Sequence, residues 1–264
     1  MELHGKTALL TGATGGLGRA IARALADRGT SLVLSSRKED ELERLADELP
    51  GDHRVAVADL AESGAALTLV ADAGEVDVLV ANAGLPASGR LDDLSGRDVE
   101  RALRVNLEAP MLMAHALLPG MLGGGGGHLV MVGSLSGLAP TARQSVYNGT
   151  KFGLRGFALG LREDVRGSGV GVSLIAPGFV RDAGMFADSR AATPAGMGTA
   201  SPDEVGAAVV QAIEKDRGEI NVAPRRQSAL AKFAGRYPEL AGRLSNQAAV
   251  KAGDEVARGQ SDKR

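Results

Sequence analysis

Tyr147 is followed four residues later by Lys151, and Ser134 lies thirteen residues before the tyrosine, all within SLSGLAPTARQSVYNGTK (134–151). Four residues make about one helical turn, so the spacing predicts a phenol and an ammonium on one helix face with their heads close together. A free phenol ionises near pH 10. A neighbouring ammonium favours the phenolate and is expected to draw that value towards neutrality, which turns the tyrosine into a usable proton donor or acceptor. Ser134 directly follows the apolar run HLVMVG, which places its hydroxyl to hold a carbonyl or alcohol oxygen against the phenol. A Tyr-x-x-x-Lys pair also arises by chance, so its weight depends on what surrounds it.

What surrounds it is an alternation of short apolar runs and helical stripes. Thr7–Leu10, Ser31–Leu34, Val55–Ala58, Val76–Val80, Leu129–Val132, Val170–Ile175 and Glu219–Val222 are expected to be buried strands, because most lack strict polar alternation. Leu17, Ala20, Ile21, Ala24 and Leu25 fall on one helical stripe that Gly29 ends, and Leu42, Leu45, Ala46 and Leu49 on another that Pro50-Gly51 ends. Further helices are expected around 62–72, 97–118 and 145–166. Ser201-Pro202-Asp203-Glu204 starts one more, with serine as cap, proline at the first position and glutamate three after the cap. The alternation implies one α/β domain, a doubly wound and mostly parallel sheet with helices on both faces. The run Gly123–Gly127 is expected to be a flexible surface connection. From Gln227 the chain turns alanine-rich and helical, and its polar end, Ala248–Arg264, is expected to be loose.

Between the first strand and the first helix stands TGATGGLG, Thr11–Gly18. Glycines there permit a tight turn and let backbone N–H groups approach a pyrophosphate at the positive end of the helix. Gly12, Thr14, Gly15, Gly16, Leu17 and Gly18 are therefore assigned to a dinucleotide. The second strand runs into Ser36-Arg37, where a site for NAD(H) would place a carboxylate on the ribose 2′-hydroxyl. A guanidinium beside an uncharged serine suits a 2′-phosphate, so NADP(H) is preferred, with NAD(H) as the alternative.

Composition excludes several classes. The 264 residues carry a net charge of −2 and a pI near 6.1, which gives no footprint for nucleic acid or an anionic membrane. With no cysteine there are no disulfides or thiolate metal sites, and the four histidines (His4, His53, His115, His128) lack ligand spacing, so no metal is expected. No export leader or membrane-spanning run is seen, and the expected compartment is the cytoplasm.

Taken together these residues resemble the short-chain dehydrogenase/reductase family over about residues 5–224. The resemblance rests on Thr-Gly-x-x-x-Gly-x-Gly at 11–18, Asp59 after the third strand, Asn82-Ala83-Gly84 after the fourth, Asn106 in the long fourth helix, Ser134, Tyr147-x-x-x-Lys151 and Pro177-Gly178. It implies a Rossmann domain over 1–226, with a mobile substrate lid at about 179–200 and a C-terminal helical extension and polar tail, 227–264, belonging to the same domain. It implies that Tyr147 is the acid/base, that Ser134 positions the substrate oxygen, that Lys151 binds the nicotinamide ribose and lowers the phenol pKa, and that Asn106 supports a proton relay. Asp59 with Leu60 would meet the adenine, Asn82, Ala83 and Gly84 the adenosine ribose, and Pro177, Gly178 and Val180 the nicotinamide. The family often carries Thr or Ser on the carboxamide where this chain has Arg181-Asp182, which leaves that contact to the Val180 backbone.

Substrate is expected against Leu85–Arg90, Leu135–Gln144 and Phe179–Ala200, with Ser134, Leu135, Tyr147, Met185 and Phe186 in contact and an apolar character from Met185, Phe186 and Met197. The function implied is an NADP(H)-dependent oxidoreductase working on a carbonyl or secondary alcohol. A 3-oxoacyl-thioester reductase is the alternative within enzymes, and a non-catalytic NADP(H)-sensing protein the alternative outside them. The family usually assembles through the fourth and fifth helices, so a homodimer or homotetramer is expected.

Overall fold

The computed structural model describes residues 1–193, 196–244 and 247–260. Seven strands, β1 (Thr7–Thr11), β2 (Ser31–Ser36), β3 (Arg54–Val57), β4 (Val78–Ala81), β5 (Gly127–Val132), β6 (Val170–Pro177) and β7 (Glu219–Val222), form one sheet in the order 3-2-1-4-5-6-7. Every pair is parallel, so the sheet is wholly rather than mostly parallel. Burial on both faces explains why the inner strands are mostly apolar runs, whereas the edge strands β3 and β7 are only partly buried. Leu9, Val33, Leu79, Leu129 and Leu174 point into one core cluster; Leu10, Leu34, Val80, Val130 and Ile175, each one residue on, point into the other.

Helices α1 (Gly16–Ala26), α2 (Glu39–Glu48) and α8 (Pro202–Glu214) cover one face. Helices α3 (Ala65–Ala73), α5 (Ala109–Gly123) and α6 (Ser145–Asp164) contribute to the other face, which α4 (Gly96–Leu103) borders. The cap expected at Ser201 is present: its Oγ accepts the Glu204 N–H at 3.1 Å, and the Glu204 carboxylate accepts the Ser201 N–H at 2.6 Å. Leu103 on α4 and Phe152 on α6 stay exposed in the single chain, on the helices for which the resemblance implies subunit contact.

Two expectations are corrected. The helix anticipated over 97–118 is interrupted by a π-helical turn, Arg104–Glu108, between α4 and α5. Such a turn widens the helix by one residue and re-aims its side chains, a feature that apolar periodicity does not report. The C-terminal stretch anticipated to be loose forms α11 (Gln247–Gly259), after α9 (Arg225–Arg236) and α10 (Pro238–Leu244), with Val256 and Ala257 buried. Residues 261–264 of that stretch lie outside the described residues. Of the glycine run, Gly123 ends α5 and Gly127 begins β5, so the connection between them is 124–126.

The contact of α1 with α8 depends on Gly206, where a Cβ would stand 2.7 Å from the Ala20 carbonyl oxygen and 3.1 Å from Ala24 Cβ. Gly206→Ala should therefore cost about 1–3 kcal/mol by forcing backbone apart. Gly160→Ala, on an exposed stretch of α6 where a Cβ meets nothing within 4 Å, should stabilise by about 0.5–1 kcal/mol. Urea unfolding of the two variants beside the parent checks both signs.

Candidate active site

The reversal of strand order between β1 and β4 opens a crevice at the carboxyl ends of the strands, where doubly wound sheets bind ligands. Its floor is the turn from β1 into α1. Gly12 has φ +65°, and a Cβ there would lie 2.9 Å from Ala83 Cα; a Cβ at Gly18 would run into the carbonyl oxygen of Gly12. Helix α1 has no side-chain cap, and its first backbone bond is Arg19 N–H to Gly15 O, so the N–H groups of Gly16, Leu17 and Gly18 precede the hydrogen-bonded ladder. Donors of this kind, with no Cβ in front of them, fit a pyrophosphate. Arg19 Nε donates to Thr14 O at 3.2 Å, which steadies the loop.

Asn82 ties this loop to β4. Its Nδ2 donates to Thr11 O (3.0 Å) and Gly12 O (3.2 Å), while Thr11 Oγ1 accepts the N–H groups of Asn82 and Ala83, each at 3.1 Å. In this structure Asn82 thus shapes the phosphate turn from behind. Thr11 was quoted in the glycine motif for its position, and the structure adds a role for its hydroxyl.

Ser134 follows β5 in extended conformation, and its Oγ accepts the Ser136 N–H at 3.1 Å. The tight turn after it, Leu135–Gly137, presses on α6: a Cβ at Gly137 would come 2.6 Å from the carbonyl oxygen of Lys151. That close approach sets the Ser134 hydroxyl beside the Tyr147 phenol on the first turn of α6, where it acts to lower the phenol pKa. One turn further on, Lys151 is 4% exposed, and its Nζ donates to Val132 O at 2.9 Å and stands 5.8 Å from the Tyr147 ring centre. Burial pushes the Lys151 ammonium down to about 8. It also pushes the Tyr147 phenol above its usual value, against the lowering effect of the Ser134 hydroxyl. The sequence expectation of a phenol drawn towards neutrality is therefore reversed in the free protein, because desolvation outweighs what the Ser134 hydroxyl contributes.

Asn106, fully buried, sits in the π turn. Its Oδ1 accepts the Leu85 N–H (2.7 Å), and its Nδ2 donates to Leu85 O (2.9 Å) and to Thr150 Oγ1 (3.3 Å). Thr150 in turn donates to Tyr147 O at 2.8 Å. Both faces of the amide are thus spent on holding the chain after Gly84 beside α6. The Tyr-x-x-Thr contact that links Asn106 to Tyr147 was not singled out in the sequence, although both residues lie within the quoted stretch.

At the other end of the crevice, Ser36 is half-buried at the end of β2, and Arg37 is exposed with no ion pair or hydrogen bond among the described residues. Lys38 beside it is paired with Glu41 at 2.7 Å. Asp59 accepts the Ala61 N–H on Oδ1 at 3.0 Å, and Leu60 is buried.

Over the crevice lies the segment after β6. Val180 bridges Ala200, but the hydrogen bonds are made by Phe179 O and Arg181 N–H, which leaves the Val180 N–H and C=O outside the bridge. Asp182 has φ +66° and pairs with Arg181 at 3.3 Å, both exposed, so neither replaces the family's hydroxyl. Ala183 and Gly184 pack on Gly16 and Leu17. Met185, on the short helix α7 (Gly184–Asp188), puts its Cε 3.1 Å from where a Gly84 Cβ would stand; Asn106 Oδ1 and Lys151 Nζ lie 3.4 and 3.9 Å from the same point. Phe186 stacks on Phe179 at 4.5 Å between ring centres. Leu135, expected against substrate, is buried with Leu138 and Ala176 and backs the wall from within. Pro194 and Ala195 of the lid lie outside the described residues.

Gln227, which the sequence did not single out, is buried against Gly178 with its Oε1 unpartnered. Among the described residues no group of three or more His, Cys, Asp or Glu is placed to hold a metal, and no helix is long and apolar enough to cross a membrane.

The profile of the family described as short chain dehydrogenase matches residues 6–194. The ketoacyl reductase HetN of Nostoc sp. is 36% identical over 227 residues, covering 83% of this chain and 79% of that one. A solved metagenomic short-chain oxidoreductase in complex with NADP superposes with a TM-score of 0.71 at 31% identity, covering 85% of this chain and 99% of that chain. A solved chain described as a betaketoacyl-ACP reductase gives 0.77 at 26% identity and is covered completely by 86% of this chain. The protein belongs to the short-chain dehydrogenase/reductase family, NAD(P)-dependent oxidoreductases acting on CH–OH or C=O groups.

Proposed function

We propose that this enzyme reduces a carbonyl, or oxidises the corresponding secondary alcohol, of a small apolar substrate and prefers NADP(H) over NAD(H). The observation that carries the reading is the buried ammonium of Lys151 lying 5.8 Å from the Tyr147 ring centre with Ser134 beside the phenol, at the same carboxyl end of the sheet as the glycine turn. The cofactor, when bound, supplies or accepts the hydride. The chain's residues handle the proton and the geometry. Ser134 holds the substrate oxygen beside the phenol. Tyr147 gives its proton to that oxygen in reduction and takes it back in oxidation. The phenolate left after reduction is stabilised by the Ser134 hydroxyl and by the nearby Lys151 charge. Gly12, Thr14, Gly15, Gly16, Leu17 and Gly18 would hold the pyrophosphate; Ser36 and Arg37 the 2′-phosphate; Asp59, Leu60, Asn82, Ala83 and Gly84 the adenosine; and Pro177, Gly178 and the Val180 backbone the nicotinamide.

A second reading, reduction of a 3-oxoacyl thioester, is favoured by the names of the relatives, a ketoacyl reductase among them. The chemistry at Tyr147 is the same in both; the readings differ in what the carbonyl is attached to.

Tyr147→Phe keeps the ring and its packing but removes the transferable proton. Turnover of a ketone panel should fall by about 10²–10⁴ while cofactor binding survives; near-normal turnover would remove Tyr147 from the acid/base role. Lys151 should reveal a cost of function. Its folded pKa, about 8, is depressed from 10.5, so burying the charge opposes folding fully below pH 8 and less as pH rises from there towards 10.5. Lys151→Met should unfold at higher temperature than the parent at pH 7, by about 1–3 kcal/mol, with the gap narrowing towards pH 10 and activity lost. Cofactor choice rests on Arg37. A partly exposed charge-assisted contact contributes on the order of 1–3 kcal/mol, so NADPH should bind roughly ten- to a hundredfold more tightly than NADH. Salt should narrow the gap, and Ser36→Asp with Arg37→Ala should reverse it. Equal affinity in a titration would place Arg37 in solvent.

A further inference from the structure

The three segments at the substrate side, Leu85–Arg90, Leu135–Gln144 and Phe179–Ala200, come from distant parts of the chain; the C-terminal helix α11 touches the second and third, and Gln260 just beyond it touches the first. At its middle, Asp254 Oδ1 accepts from Arg143 Nε at 2.7 Å, and Gly253 lies so close that a Cβ would stand 2.7 Å from the Ala142 carbonyl oxygen. Arg143 in turn accepts the Gly89 N–H on its carbonyl, also at 2.7 Å. At the end of α11, Gly259 packs on the backbone of Ser189 in the lid. Gln260 then closes the ring. Its side chain is 4% exposed, Oε1 accepts the Ser88 hydroxyl at 2.7 Å, and Nε2 donates to Met185 O at 2.8 Å. Met185 is the lid residue whose Cε reaches the Gly84 turn beside Asn106 and Lys151.

We infer that α11 and Gln260 form a strap across the outer end of the substrate cleft, and that Gln260 is a specificity-determining residue selecting a free, compact carbonyl or alcohol over one carried on a long pantetheine-type arm. The inference rests on the hydride-transfer reading above and decides between its two forms. A tethered substrate must leave the cleft as a continuous chain of atoms. Between the loop after β4 and the lid, that exit is spanned by a buried amide with both ends bonded. Opening it would leave Ser88 Oγ, the Gln260 amide and Met185 O without partners in a poorly solvated place, which a compact substrate lying wholly beneath the strap does not require.

The test compares two acetoacetyl thioesters that differ only in their tails, the S-methyl ester and the pantetheine ester, with NADPH as the reductant. The ratio of their kcat/KM values cancels any change common to both, including a change in cofactor binding or in the amount of folded enzyme. The parent should favour the methyl ester by about tenfold or more. Gln260→Ala should bring the ratio towards one, chiefly by lowering KM for the pantetheine ester. Gln260→Glu keeps the acceptor for Ser88 and loses the donor to Met185 O, so its ratio should fall between. Ser88→Ala cuts the other end by one oxygen and should move the ratio the same way, which keeps the test open if Gln260→Ala does not fold. A parent that prefers the pantetheine ester, or variants that lower both values equally, would overturn the inference while leaving the hydride-transfer reading intact. Turnover of neither ester, with a ketone of the panel still reduced, would overturn the inference alone; no turnover of either ester or of any ketone with either cofactor would overturn both.

Discussion

A lysine ammonium kept almost entirely from water constrains everything around the crevice. Among the described residues Lys151 has one acceptor, Val132 O at the end of β5, and its own backbone is pressed by the turn that follows Ser134. That packing admits no Cβ at Gly137. The space above the ammonium is bounded by Gly84 and by Asn106, which the π turn swings inward to hold the Leu85 backbone on both sides. Displacing any of these would either drown the charge or leave it unpaired, and an unpaired buried charge is among the costliest defects a fold can carry. The same burial pushes Tyr147 up and Lys151 down, because removal of water penalises the charged form of each group. A site strained in this way is an expected signature of function.

Much of the scaffold was legible because parallel strands buried on both faces announce themselves as apolar runs, and because glycine and proline mark the turns. The seven strands fall where the runs lie, and the Ser201 capping box is where its three residues place it. The geometry of the candidate site was legible through spacing: Tyr147 and Lys151 share a helix face, and Ser134 lies beside the phenol. What escaped was of two kinds. The π turn at Asn106 is a one-residue adjustment inside an otherwise periodic helix, and periodicity averages over it. The docking of α11 depends on glycine contacts and two hydrogen bonds of Gln260 with residues more than seventy positions away, and a polar, charged sequence gives no local hint of such partners. The direction of the Tyr147 shift escaped for a third reason: spacing reports the neighbouring charge but not how much water the fold removes.

These features couple at the lid. Its first residues lie on the phosphate turn, its methionine reaches the Lys151 neighbourhood, and its later part is held by α11. The glycine turn after β1, the neighbourhood of Lys151 and the contacts of the C-terminal segment therefore meet on one stretch of chain, Ala183–Ser189. Fold and site are not separable layers here. The glycines that let the backbone approach a phosphate also let the lid approach the backbone.

The central claim is that the Ser134, Tyr147 and Lys151 constellation serves hydride transfer to a carbonyl. The most direct measurement is mass spectrometry of products formed from a ketone panel with NADPH deuterated at C4 of the nicotinamide. The account predicts one deuterium, carried on the carbinol carbon of the alcohol produced. Tight binding of the cofactor with no labelled alcohol from any ketone in the panel, and no oxidation of the matching alcohols with NADP, would contradict it.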